Sequence, residues 1–327
     1  MIAQVDRAYF KAAGPSAAQR FISYALFEGR PATTRGQFVN PAVFAYLKRI
    51  ARRPPSSAPF KPIFILGVGR SGTTHIGRLL SVHPQTGFLN EPKALWHVID
   101  PAEDVSGFYN RGSGRFVLDG SDVNPIAQQR AWSLYAHYAR VVRAQRVVDK
   151  YPELTYRAQY LRALFPEAVL IAIVRDPGAV MGSIEAWNTR NSRGEENWWG
   201  VADSKWVQLW DQLAADDPVL SSAFPAGRSI QDDTQRALIE WVVGMRAIVD
   251  SPETGRPDLV IRYESLVANA KETVAQVLSA CDLSLDQKTL AFADHETQDS
   301  TRSYPDADFG ALTDEVARLK SALGYDT

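Results

Sequence analysis

The 327-residue chain holds one cysteine, Cys281. An intrachain disulfide and a thiolate metal cluster are therefore excluded. Cys281 closes the apolar stripe Val274-x-x-Val277-Leu278-x-x-Cys281, whose helical spacing marks it as buried filler. No uncharged apolar run approaches the roughly 20 residues that span a bilayer, and residues 1–7 lack the apolar core of a signal peptide. The expectation is a cytoplasmic protein without a transmembrane segment, peripheral attachment remaining open. Neither sign of charge dominates, with 36 Lys+Arg against 37 Asp+Glu. No global field recruits nucleic acid or anionic membrane, so any anion site must be local. The five histidines show no metal-ligand spacing, and no metal is expected. Repeats and low-complexity tracts are missing too. The oligomeric state is not legible.

What is present is an alternation. Residues 1 to about 50 read as short helices broken by Gly14-Pro15 and Gly29-Arg30-Pro31. A proline-rich linker follows, Arg52-Arg53-Pro54-Pro55-Ser56-Ser57-Ala58-Pro59. The expected division is an extension over residues 1–58 and a single domain over 59–327. Buried strands are expected at Ile63–Leu66, Phe88-Leu89, Arg146–Asp149, Val169–Val174 and Leu259–Tyr263. Helices are expected at Thr73–Val82, about Tyr160–Leu164, Pro177–Trp187, Thr234–Val249 and Glu272–Leu283. Continuous apolar strands between helices predict an α/β fold: a doubly wound, mainly parallel sheet with ligands at its carboxyl ends.

The informative stretch is Gly67-Val68-Gly69-Arg70-Ser71-Gly72-Thr73-Thr74, which follows the first strand and opens a helix. Glycines allow the tight turn, and loop amides with a helix N-terminus favour an anion. The string is close to Gly-x4-Gly-Lys-Ser/Thr, but Thr73 stands where the triphosphate loop needs its lysine. Without that lysine a triphosphate is poorly neutralised. Arg70, three residues earlier, suits a shorter anion with one 5′ phosphate and one transferable group.

Arg70-Ser71-Gly72-Thr73-Thr74 after a strand resembles the 5′-phosphosulfate loop of sulfotransferases that use 3′-phosphoadenosine 5′-phosphosulfate (PAPS), a P-loop-like fold. The resemblance implies that these five residues contact the 5′-phosphosulfate. Arg175-Asp176-Pro177, with Ser183 eight residues after Arg175, matches the family's 3′-phosphate motif. Asp149-Lys150-Tyr151-Pro152, Leu164-Phe165-Pro166 and Arg262-Tyr263-Glu264-Ser265-Leu266 fit other segments of the pattern. The Arg-Lys-Gly motif of cytosolic members is missing, so the closer likeness is to bacterial and carbohydrate-type members. Arg302, Ser303 and Tyr304 are candidates for closing contacts by position alone.

The implied activity is transfer of a sulfuryl group from PAPS to a hydroxyl or amine of a glycan, lipid-linked sugar or small metabolite, with PAP as product. By analogy with phosphoryl transfer, the chemistry needs positioning, cations and a base. Glu91, in Leu89-Asn90-Glu91-Pro92, is the expected base, where glycan-type members place a glutamate. A Lys93-paired or helix-capping role is its bland alternative. His97 is the second candidate base, and His75 more plausibly touches structure. Arg70 and Lys150 are the expected cations, although Lys150 could instead bridge Asp149 or Glu153. Trp187, Trp198, Trp199 and Trp206 could stack on an acceptor, with core packing preferred for most of them. Arg190 and Arg193 read as a solvated loop. Two rival readings are a small-molecule kinase and a non-catalytic nucleotide-binding module.

Overall fold

The computed structural model describes residues 5–14, 16–28, 37–54, 60–109, 114–192, 196–297 and 307–325. Five strands form one sheet: Ile63–Leu66 (β1), Thr86–Asn90 (β2), Arg146–Lys150 (β3), Val169–Val174 (β4) and Leu259–Arg262 (β5). Their order is β2-β3-β1-β4-β5, and every neighbouring pair is parallel. This is the doubly wound α/β architecture expected from the sequence.

Side chains alternate across a strand, so the central strands β1 and β4 feed two cores. Ile63 and Ile65 of β1 join Ile171 and Ile173 of β4 on one face, beneath the helix Thr73–Leu80. Phe64 and Leu66 join Leu170, Ala172 and Val174 on the other, where the helices Asn40–Ala51, Lys93–Ile99, Pro125–Val142 and Asp233–Val249 pack. Burying each such side chain contributes about 1.5–3 kcal/mol, which is why these strands tolerate no polar residue at either parity. Cys281 is fully buried in the first of these cores, and burial pushes its thiol up to about 12; it is inert filler.

The edge strand β2 is closed by side chains rather than by another strand. Helices Arg7–Ala13 and Ser16–Ile22, broken at Gly14 (φ +52°), lead through a π-helical turn Ser23–Phe27 across the sheet edge. The Arg20 guanidinium donates to the Phe88 carbonyl at 3.0 Å. The Glu28 carboxylate accepts the Asn90 amide at 2.7 Å and is itself paired with Arg20. Backbone groups that would otherwise template aggregation are thereby satisfied. Tyr9, Ala13 and Ala17 enter one core, and Phe27, Val43 and Leu47 the other.

Boundaries differ where tertiary contacts intervene. The last strand stops at Arg262, because Tyr263 opens the helix Tyr263–Ala268. The helix after β4 runs from Pro177 to Asn191, past the expected Trp187. The helix after β5 spans Ala270–Ala280, with Cys281 as its cap. The second break near residue 30 and most of the linker fall outside the described residues. Among the described residues, no helix is long and apolar enough to cross a membrane.

The chain leaves β1 toward β2 on one side and leaves β4 toward β5 on the other. Loops after β1 and β4 therefore diverge, opening a crevice at the carboxyl ends of the sheet.

Candidate active site

The loop after β1 occupies that crevice. Gly67 (φ +138°) lies so close to β4 that a Cβ would sit 2.3 Å from the Ile173 carbonyl oxygen. At Gly72 (φ +93°) a Cβ would meet the Tyr263 ring at 2.3 Å. Any side chain at either position would push the loop off the sheet. The Gly67 amide donates to Thr155 Oγ1 at 2.7 Å, anchoring the loop to the segment after β3. The helix Thr73–Leu80 starts at Gly72 without a side-chain cap, leaving first-turn amides for an anion. Ser71 is fully buried, and its hydroxyl has no hydrogen-bond partner among the described residues. Thr73 is buried and Thr74 half-buried beside it.

The two arginine motifs meet here. Arg70 Nε donates to Ser183 Oγ at 2.9 Å, and Arg175 Nη1 donates to the Arg70 carbonyl at 3.1 Å. Arg70 carries φ +69°, an uncommon conformation for a residue with a side chain. Burial, and then the like charges of Arg175 and Arg190, lower its hold on its proton. Three guanidinium groups thus act on one crevice. Arg190 itself is exposed, while Arg193 lies outside the described residues. Arg175 does not bridge Asp176. Its guanidinium lies over the Tyr263 ring, 4.4 Å from the centroid, and its buried Nε has no partner among the described residues. Asp176 instead caps the helix through the Ala179 amide and pairs with Lys320.

Glu91 and Lys150 stand at the carboxyl ends of β2 and β3, where Asn90 and Lys150 are register partners. Lys150 Nζ is bonded to Glu91 Oε1, so neither Asp149, Glu153 nor Lys93 takes the partnership the sequence left open. Asp149 turns away to accept from Trp96 Nε1 at 3.0 Å and from the Tyr135 hydroxyl. Burial pushes its carboxyl up to about 7. Glu91 has φ +52°, held there because its amide donates to the Lys150 carbonyl at 2.6 Å. Its charge is among those acting on Arg70. The expected base, both expected cations and both arginine motifs therefore border one crevice.

His97 packs between Phe44 and Tyr109, with ring centroids at 5.8 and 5.1 Å, and burial lowers its proton affinity. His75 meets Thr297 Oγ1 at 2.9 Å, and burial drives it down to about 4. Arg302, Ser303 and Tyr304 lie outside the described residues.

Reading the sequence missed the roof. Trp199 and Trp206 are fully buried core residues, in keeping with the expected packing role. Trp198 instead covers the loop after β1: a Cβ on Gly69 would lie 2.2 Å from its ring. Trp187 packs edge-on against it at 5.5 Å. Trp198 Nε1 donates to Glu240 Oε2 at 3.1 Å, and Lys205 Nζ pairs with Glu240 Oε1 at 2.6 Å. The signal available was weak: a glycine in a loop and a tryptophan some 130 residues later, with nothing to connect them.

Residues 62–231, more than half of the chain, match the model of the sulfotransferase family. The chain belongs to that family. Against nodulation protein NoeE of Sinorhizobium fredii (strain NBRC 101917 / NGR234), this chain is 25% identical over 251 residues, covering 73% of its own length. It spans 54% of that protein. The sulfotransferase domain of the Synechococcus PCC 7002 olefin synthase superposes with a TM-score of 0.52 at 19% identity, over 84% of this chain and 98% of that one. The shared fold is what that second likeness establishes.

Proposed function

We propose that this sulfotransferase uses PAPS as donor, releases PAP, and sulfates a hydroxyl or amine on a glycan, lipid-linked sugar or small metabolite. The supporting observation is the meeting of Arg70, Ser183 and Arg175 at the crevice between β1 and β4. One phosphate cradle would be of little use to a donor that carries anions at both ends. Two adjoining cradles match it. The buried, unpartnered Ser71 hydroxyl and Arg175 Nε are polar atoms of the kind that a bound anion satisfies. The reading keeps residues 59–327 as one catalytic domain with residues 1–58 as an extension, and asks for no metal.

In this assignment the loop amides, Ser71, Gly72, Thr73 and Thr74 hold the 5′-phosphosulfate, while Arg175 and Ser183 hold the 3′ phosphate. The donor supplies an activated sulfuryl group. Arg70 offsets the negative charge that builds on the leaving side, the largest contribution expected of such a site. Glu91 takes the acceptor proton, and Lys150 fixes the orientation of its carboxylate. Trp198 excludes water from the loop.

Thermal-shift measurements with PAP, adenosine 5′-phosphosulfate and ATP test the donor. A ligand at about 100 times its Kd stabilises by about 2.7 kcal/mol, so selective stabilisation by PAP is the expected outcome. Stabilisation by MgATP with indifference to PAP would favour a kinase. PAP binding without transfer to any acceptor would leave a nucleotide-binding module.

A further inference from the structure

The even charge of the whole chain conceals a division. Residues 1–53 carry nine Lys and Arg against two carboxylates, Asp6 and Glu28. Taken from whole-chain totals of 36 and 37, this leaves 27 cations facing 35 carboxylates in the remainder. Both N-terminal carboxylates are already engaged, Asp6 with Arg78 at 2.5 Å and Glu28 with the buried Arg20. Arg7, Lys11, Lys48, Arg49, Arg52 and Arg53 are exposed. No carboxylate among the described residues forms an ion pair with them.

The same segment carries every exposed phenylalanine of the described residues. Phe38 is 84% exposed, Phe10 51% and Phe21 40%, with Leu26 beside them at 38%. The helix Arg7–Ala13 shows how they arise. Tyr9 and Ala13 are buried inward, while Arg7, Phe10 and Lys11 face out. Phe10 reaches across to Phe21 of the next helix, ring to ring at 6.1 Å. Arg7 and Lys11 flank Phe10 on its helix, so the Phe10–Phe21 pair is bordered by basic side chains. A protein partner needs a desolvated core patch. A lipid headgroup layer accepts single rings flanked by basic side chains.

We infer that the exposed side chains of residues 5–14, 16–28 and 37–53 form a docking surface for an anionic bilayer, the cations meeting lipid phosphates and Phe10, Phe21 and Phe38 entering the headgroup region. The surface lies on the segment that wraps β2, and Glu28 ties it to Asn90, next to Glu91. The wrap thus supplies Arg7, Phe10, Lys11 and Phe21 to this surface, and the segment around the helix Asn40–Ala51 supplies Phe38, Lys48, Arg49, Arg52 and Arg53.

Co-sedimentation of the full chain with neutral phosphatidylcholine vesicles, and with vesicles containing phosphatidylglycerol, tests this directly. Binding is expected to the anionic vesicles alone, weakening at least about 10-fold as salt shortens the Debye length from about 30 Å to about 8 Å. Reversing Lys48→Glu and Arg52→Glu together should weaken it by more than about 10-fold, since each basic group near the surface contributes about 5-fold. Phe38→Ser leaves the charge unchanged and should weaken binding several-fold. Phe38 is 84% exposed, so its replacement leaves the core intact, which an unchanged Tm verifies. The inference is overturned if wild type ignores anionic vesicles, binds both kinds equally, or is unaffected by the charge reversal. Self-association that Phe10→Ser or Phe38→Ser abolishes, without vesicle binding, would assign the surface to a second copy instead.

Discussion

Lys150–Glu91 and Lys205–Glu240 are both buried-lysine pairs with a glutamate, yet their surroundings differ. In the first the lysine side chain is 2% exposed and the glutamate 25%. In the second the values are 5% and 3%. Glu91 faces the crevice on left-handed backbone and acts electrostatically on Arg70. Glu240 has its second carboxylate oxygen taken by Trp198 Nε1. Burial works against the charge on Lys205, and Glu240 followed by Glu153 more than restores it. A half-open pair can exchange partners when substrates arrive. A sealed pair cannot, and serves to hold Trp198 over the loop. Both lysines are buried, so the pairs differ in their carboxylates: Glu91 remains accessible and Glu240 does not.

The largest expected effect separates the two pairs most sharply. Glu91→Gln should lower kcat in a sulfuryl-transfer assay by about 10²–10⁴-fold and, by removing the carboxylate bonded to the buried Lys150, lower Tm as well, whereas His97→Ala should retain most turnover. Near-normal turnover of Glu91→Gln would remove the open pair from the chemistry. Next, Lys205→Met leaves a buried carboxylate unpaired and should cost about 3–5 kcal/mol in urea unfolding. Adding Glu240→Gln should restore part of that loss. If Lys205→Met is as stable as wild type, the sealed pair is not structural.

Acidification probes a third buried contact in the helix that opens at the loop. The unfolded chain protonates His75 near 6.5, while the folded chain resists until about 4. Stability should therefore fall as pH drops through that window, by up to about 3 kcal/mol, and His75→Asn should flatten this part of the profile. The smallest effect concerns the roof. Gly69→Ala would force the Trp198 ring away and should cost about 1–3 kcal/mol. Combining it with Trp198→Leu should relieve the strain; no relief would mean that the loop backbone, rather than the ring, resists the methyl group.

Part of the fold was legible because β1 and β4 are uninterrupted apolar runs. Ile63–Leu66 and Val169–Val174 admit one reading, burial on both faces of a parallel sheet. Boundaries were less legible. Tyr263 fits a strand by propensity but starts a helix, its ring packed against Gly72 and beneath Arg175. At the site, the Gly67–Thr74 loop could be found because anion binding by backbone needs consecutive glycines and hydroxyls. Trp198, Thr155 and the Lys205–Glu240 pair could not, since their roles come from partners far away in the chain.

The sequence by itself determined the order of strands and helices, the loop without a triphosphate lysine, and the residue types available for an anion. Local chemistry suffices there, because period, glycine placement and the missing lysine are properties of short segments. Only the tertiary structure decided that Arg70 reaches Ser183, that Lys150 pairs with Glu91, and that Asp149 turns into the core. Parallel strands are joined by long crossovers, so neighbours at their carboxyl ends are remote in sequence. Which of those remote side chains meet is settled by sheet order and register.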